Sequence, residues 1–204
     1  MSSRIRFATA RGVFEAFDDL RHGAPAPADE CAPLDYVSQL LASRRPTDAI
    51  AFLAYLLPRR EAVWWAQQCV AAILGPRANT AALRAAEDWV RAPDEERRRA
   101  ALETGKAGDQ RIATTWLALA AGWSGGSLIG AEHAPVLPPP SSCAKAVNAA
   151  VVLAICTVEQ RAMPAWISAC AEAGMRFAEG EEAKVIAPKP AAAVRSTAPS
   201  PHKP

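Results

Sequence analysis

"RREAVWWAQQCVAAILG", residues 59–75, decides the fold. Ala62, Trp65, Ala66, Cys69, Val70 and Ile73 stand at i, i+3, i+4, i+7, i+8 and i+11, the spacing that lines one face of an α-helix. Gly75 supplies a C-terminal stop. Trp64 falls beside the stripe, next to Gln68. Two neighbouring tryptophans are thus given different surroundings: Trp65 a core, Trp64 a helix flank.

The same period recurs on both sides of this segment. "ATARGVFEAFDDL" puts Val13, Phe14, Phe17 and Leu20 on one face, with Thr9 as N-cap. Pro33 suits the first turn of a helix carrying Leu34, Val37, Leu40 and Leu41. Thr47 can cap "DAIAFLAYLL", which Pro58 terminates and which is apolar nearly all round, so it should be central. Downstream, "NTAALRAAEDWV" reads as a short helix capped by Asn79 or Thr80. "APDEERRRAALETG" has Pro93 at its start, three acids in its first turn and Gly105 at its end, an order that complements the helix dipole. Asp94–Arg98 and Glu95–Arg99 stand at i,i+4, and the run "DEERRR" reads as a solvated helical face. Asp109 can cap a helix that turns Ile112, Ala113, Trp116, Leu117 and Leu119 inward. Ser142 can cap "CAKAVNAAVVLAICTVEQR", which Pro164 should break or kink. "AWISACAEAGMRFAEG" reads as the last helix. No pair of period-two strands stands out. The expectation is an all-α single domain over residues 8–182, with seven to eight short helices in a loosely helical-repeat-like order. Residues 1–7 read as a flexible N-terminus and 183–204 as a disordered Pro/Ala-rich basic tail.

Composition bounds the function. Half of the 204 residues are hydrophobic, 22% are charged, and the net charge is +2. Four of the basic residues, Lys184, Lys189, Arg195 and Lys203, lie in the acid-free stretch 183–204. The remaining 19 basic and 21 acidic residues leave the body near −2. That balance argues against a nucleic-acid partner. The longest apolar runs fall short of the roughly 18–20 residues that cross a bilayer, and the N-terminus lacks the apolar stretch of a signal peptide. Cys31, Cys69, Cys143, Cys156 and Cys170 are odd in number and lack zinc spacing. They read as free, buried thiols in a cytoplasmic protein that needs no metal or cofactor.

The stretch "GWSGGSLIG" holds the remaining chemistry. It has neither the lysine of a P-loop nor the G-x-G-x-x-G order. Ser124 and Ser127 precede Glu132 and His133, but "WSGGS" is not the strand-to-helix elbow of a hydrolase. The reading here is a structural corner first. Gly122 ends a helix in the left-handed conformation, Gly125 and Gly126 reverse the chain, and Trp123 folds back with one edge near solvent. Of the six tryptophans, Trp65, Trp89, Trp116 and Trp166 belong to apolar faces. Trp64 and Trp123, at a helix flank and a loop edge, are the better candidates for an aromatic anchor, although core packing is the first reading even for them.

Several stretches together, "TARGVFEAF", "AFLAYLLPRREAVWWAQQCV", "AEDWVRAPDEERRRAA", "TWLALAAGWSGGSL" and "PPPSSCAKAVNAAVVLA", resemble a family of small, uncharacterised bacterial helical proteins encoded near type VI secretion genes. The resemblance covers roughly residues 8–178. It implies a cytoplasmic accessory, adaptor or chaperone-like role and brings no catalytic residues. Two function classes follow. One is a non-enzymatic protein–protein interaction module whose partner is a secretion-system component or cargo. It would bind through Trp64 and Gln68 or through Trp123, Ser124, Gly125, Gly126 and Ser127. The other is a small-molecule binder or hydrolase-like enzyme using the loop 123–133.

Overall fold

Thr9 sets the first helix. Its hydroxyl accepts the Gly12 N–H at 3.2 Å and starts α1 (Ala10–Ala16). In this computed structural model residues 3–188 are described, apart from 26, 28, 29, 44, 131 and 132. Among the described residues the chain forms nine α-helices and no strand. After α1 come α2 (Pro33–Ala42), α3 (Pro46–Leu56), α4 (Arg59–Leu74), α5 (Ala81–Arg91), α6 (Glu95–Ala107), α7 (Ala113–Gly122), α8 (Ser142–Ile155) and α9 (Met163–Ala178).

The central elements are those with the most apolar circumference. Residues 49–50 and 52–56 of α3 are all buried. α7 buries every residue except Trp116 and packs against α4, α5, α6 and α8. α4 touches α5, α7, α8 and α9, and α9 returns to α3 and α2, closing the helices around one core. Trp65 is fully buried and donates from Nε1 to the Cys170 carbonyl on α9 at 3.0 Å. Gly75 ends α4 at a positive φ of 55°, the glycine stop expected from the sequence. No helix among the described residues is long and apolar enough to cross a membrane.

Several boundaries differ from the sequence reading. α1 stops at Ala16, and a 3₁₀ turn, Asp18–His22, carries Leu20 into the core. Thr47 is not a cap: Pro46 already holds the first turn of α3, and Arg45 precedes it. Thr80, not Asn79, caps α5, accepting from the Leu83 N–H. Gly105 does not end α6. It lies inside that helix, where a Cβ would stand 2.8 Å from the Leu119 side chain, so it permits close approach of α6 and α7. Asp109 folds back on Arg111 rather than capping α7, which leaves Ile112 47% exposed before the helix begins. Ser142 is the first residue of α8, not its cap. That helix ends at Ile155, and Pro164 sits in the first turn of α9, where a missing N–H costs nothing. Of the five free thiols, Cys69, Cys143 and Cys170 are buried, but Cys31 is half-buried and Cys156 exposed.

Residues 3–7, read as a flexible N-terminus, lie along the end of α9. The Arg4 N–H donates to the Ala178 carbonyl at 2.9 Å, and its guanidinium sits 4.1 Å over the Phe177 ring. At the other end Ala183 is buried and Val185 packs on the core, so packing continues past residue 182. The expected disordered tail lies, from residue 189 onward, outside the described residues.

Candidate functional site

The corner that follows α7 is held by cations. Arg98 is 4% exposed. Its Nη1 donates to the Gly122 carbonyl at 2.6 Å and its Nη2 to the Ser127 carbonyl at 2.9 Å. Glu95 closes the other side of the guanidinium at 2.6 and 2.7 Å. Arg99 reaches the Ile129 carbonyl, Lys106 the Leu128 carbonyl, and Arg59 the Ser124 carbonyl. These carbonyls face away from the backbone donors of the turn, so side-chain donors pair them. The Arg98 hydrogen bond is the chief influence on Glu95, and it holds that carboxyl below its ordinary pKa.

The run "DEERRR" is a solvated face over 94–97, and Glu95 pairs with Arg99 as expected, but Arg98 does not belong to that face. Asp94 pairs with Arg97, not Arg98, while Arg98 turns inward. A signal for it exists in the sequence: Arg98, Ala101, Leu102 and Gly105 stand at i, i+3, i+4 and i+7, and all four are buried. A charge on an apolar stripe needs partners: Glu95 lies within the segment, but the two carbonyls that draw Arg98 inward lie outside it.

The glycines of the corner also divide differently. Gly122 is not left-handed. It ends α7 against α6, where a Cβ would stand 2.6 Å from the Leu102 Cα. The positive φ falls on Gly126, at 63°, with a Cβ position 2.7 Å from Arg98 Nε. At Gly125 an added Cβ would meet open space. Ser127 Oγ accepts the backbone N–H groups of Ile129 and Val136, both at 3.2 Å. His133 is exposed, and no hydrogen bond joins it to Ser124 or Ser127 among the described residues; Glu132 lies outside those residues. Trp123 is half-buried and meets Trp116 edge to face at 6.3 Å.

Trp64 and Gln68 lie elsewhere, in a groove of about 270 Å³ between α4 and α5. Trp64 is 39% exposed and rests edge to face on Phe177 at 5.5 Å. Gln68 donates to the buried Gln67 side chain at 2.8 Å. Arg60 ties the two helices through the Val90 carbonyl at 2.7 Å, and Arg91 pairs with Glu87. The structure therefore brings Trp64 together with Gln68, and Trp123 together with Ser124–Ser127, as two separate groups. Sequence reasoning missed Arg60, Gln67, Glu87 and Arg91 in the groove. Arg60, Trp64, Gln67 and Gln68 do share helical spacing, but only the approach of α5 shows that this flank is concave. The groove offers an aromatic rim, amides and a compensated ion pair.

No curated protein and no solved structure matches the chain. A family model described as "Family of unknown function (DUF6931)" matches residues 36–178, from within α2 to the end of α9, and so takes in both the groove and the braced corner. The chain belongs to that family of unknown function.

Proposed function

We propose that the protein is a non-enzymatic interaction module that binds another protein through the groove between α4 and α5. The observation that carries this reading is Trp64. A large aromatic side chain stays 39% exposed on the rim of a concave surface, although its neighbour Trp65 is fully buried. Aromatic and arginine side chains around a recess are the usual anchors of protein interfaces. Gln67 and Gln68 supply amides that can pair with a partner backbone. The corner at 123–133 is the weaker candidate, because its serine and glycine groups already serve the turn. The family resemblance read from the sequence makes the partner a component or cargo of a bacterial type VI secretion system, met in the cytoplasm. That part of the proposal rests on the resemblance alone.

The test is site-specific photo-crosslinking of the full chain in cells that naturally express it. A crosslinker at Gln68 is expected to trap one discrete protein, one at Ser124 is not, and Trp64→Ala is expected to remove the Gln68 product while the chain stays folded. A Gln68 product that survives Trp64→Ala, or trapping at Ser124 alone, overturns the assignment.

A further inference from the structure

A second cavity, of about 380 Å³, lies on another side of the molecule, where the starts of α4 and α8 meet the N-terminal segment. One part of its wall is apolar, with Phe7, Phe17 and Leu57. The other part carries two guanidinium groups, Arg6 and Arg59. No carboxylate lines it, and neither arginine has an ion-pair partner among the described residues. Arg59 is positioned from outside by the Ser124 and Pro140 carbonyls at 2.6 and 3.5 Å, and Arg6 rests 5.3 Å from the Phe7 ring. The adjacent acid, Asp19, is already taken by Lys145 at 2.6 Å and by the Tyr55 hydroxyl at 3.2 Å.

Both arginines are solvent-exposed, and two cations beside an apolar wall form a recess whose positive potential favours a molecule that joins an acidic group to an apolar body. The volume suits a small organic molecule. We propose that this cavity binds a small organic anion: an apolar body of aromatic size against Phe7, Phe17 and Leu57, with its acidic group between Arg6 and Arg59. The site binds rather than reacts. Its one thiol, Cys143, is almost wholly buried, and that burial pushes its pKa up to about 12, leaving no thiolate nucleophile at neutral pH. This site is independent of the groove at Trp64.

Fluorescence titration of the full chain with anilinonaphthalene sulfonate tests the proposal, with phenylnaphthylamine as its uncharged counterpart. The sulfonate is expected to saturate one site. Arg6→Gln and Arg59→Gln should each weaken it about ten-fold, the scale of one charge-assisted contact. The uncharged probe should move by less than about two-fold in the same variants. Ala144→Phe, which fills the cavity, should abolish sulfonate binding, and Trp64→Ala should leave it unchanged. Arg59→Gln also releases the Ser124 carbonyl, so Arg59→Lys, which keeps the charge, serves beside it and should retain most of the affinity. If Arg59→Gln does not fold, Arg6→Gln decides the matter alone. Sulfonate affinity that ignores Arg6→Gln, the lack of a saturable site, or loss of binding in Trp64→Ala overturns the proposal.

Discussion

α4 and the corner at 122–130 solve the same problem, burying backbone and tryptophan, by opposite means. In α4 every internal carbonyl is paired within the helix, and apolar spacing alone decides that Trp65 is buried and Trp64 exposed. In the corner five carbonyls are paired by side chains from other helices: Gly122 and Ser127 by Arg98, Ser124 by Arg59, Leu128 by Lys106, and Ile129 by Arg99. A helix is thus a local solution that survives most changes nearby. A braced turn is a tertiary one, and it depends on a few distant cations.

That contrast can be broken from either side. Trp65→Ala should show the largest effect, a loss of about 3–5 kcal/mol in chemical denaturation, because it leaves a large cavity between α4 and α9. Arg98→Met should follow at about 2–3 kcal/mol, since it strips donors from two corner carbonyls and leaves Glu95 without its main partner. If Arg98→Met costs less than about 0.5 kcal/mol, the corner does not depend on the clamp.

Smaller effects sharpen the comparison inside each region. Gly126→Ala should cost about 1–2 kcal/mol through its positive φ, whereas Gly125→Ala should change stability by less than about 0.5 kcal/mol. Equal thermal shifts for the two would contradict the assignment of the left-handed residue. Trp64→Ala should cost about 1 kcal/mol, mostly the edge-to-face contact with Phe177 and some buried area. The weakest effect is expected from pH. The Glu95 carboxyl is held below its ordinary value in the fold, so below about pH 4.5 the unfolded chain takes up that proton first. Stability from this pair is present above that pH and is lost as the pH falls through the folded value. Glu95→Gln should flatten that part of an acid-unfolding profile, and an unchanged profile would count against the pairing.

Read by itself, the sequence determined the helical class, the course of α4, the burial of Trp65 with Trp64 off its stripe, and the Thr9 and Gly75 helix ends. Each of these is set within one or two turns of helix, by side-chain spacing or by a single backbone conformation. The closing groove beside Trp64 and Gln68, the inward turn of Arg98, the packing roles of Gly105 and Gly122, and the shift of the left-handed residue to Gly126 were decided only by tertiary structure. The reason is physical. A glycine needed for close approach looks like a glycine that stops a helix until the second helix is in place. An arginine on an apolar stripe looks like a surface charge until the carbonyls it pairs, 24 and 29 residues further along the chain, fold back onto it.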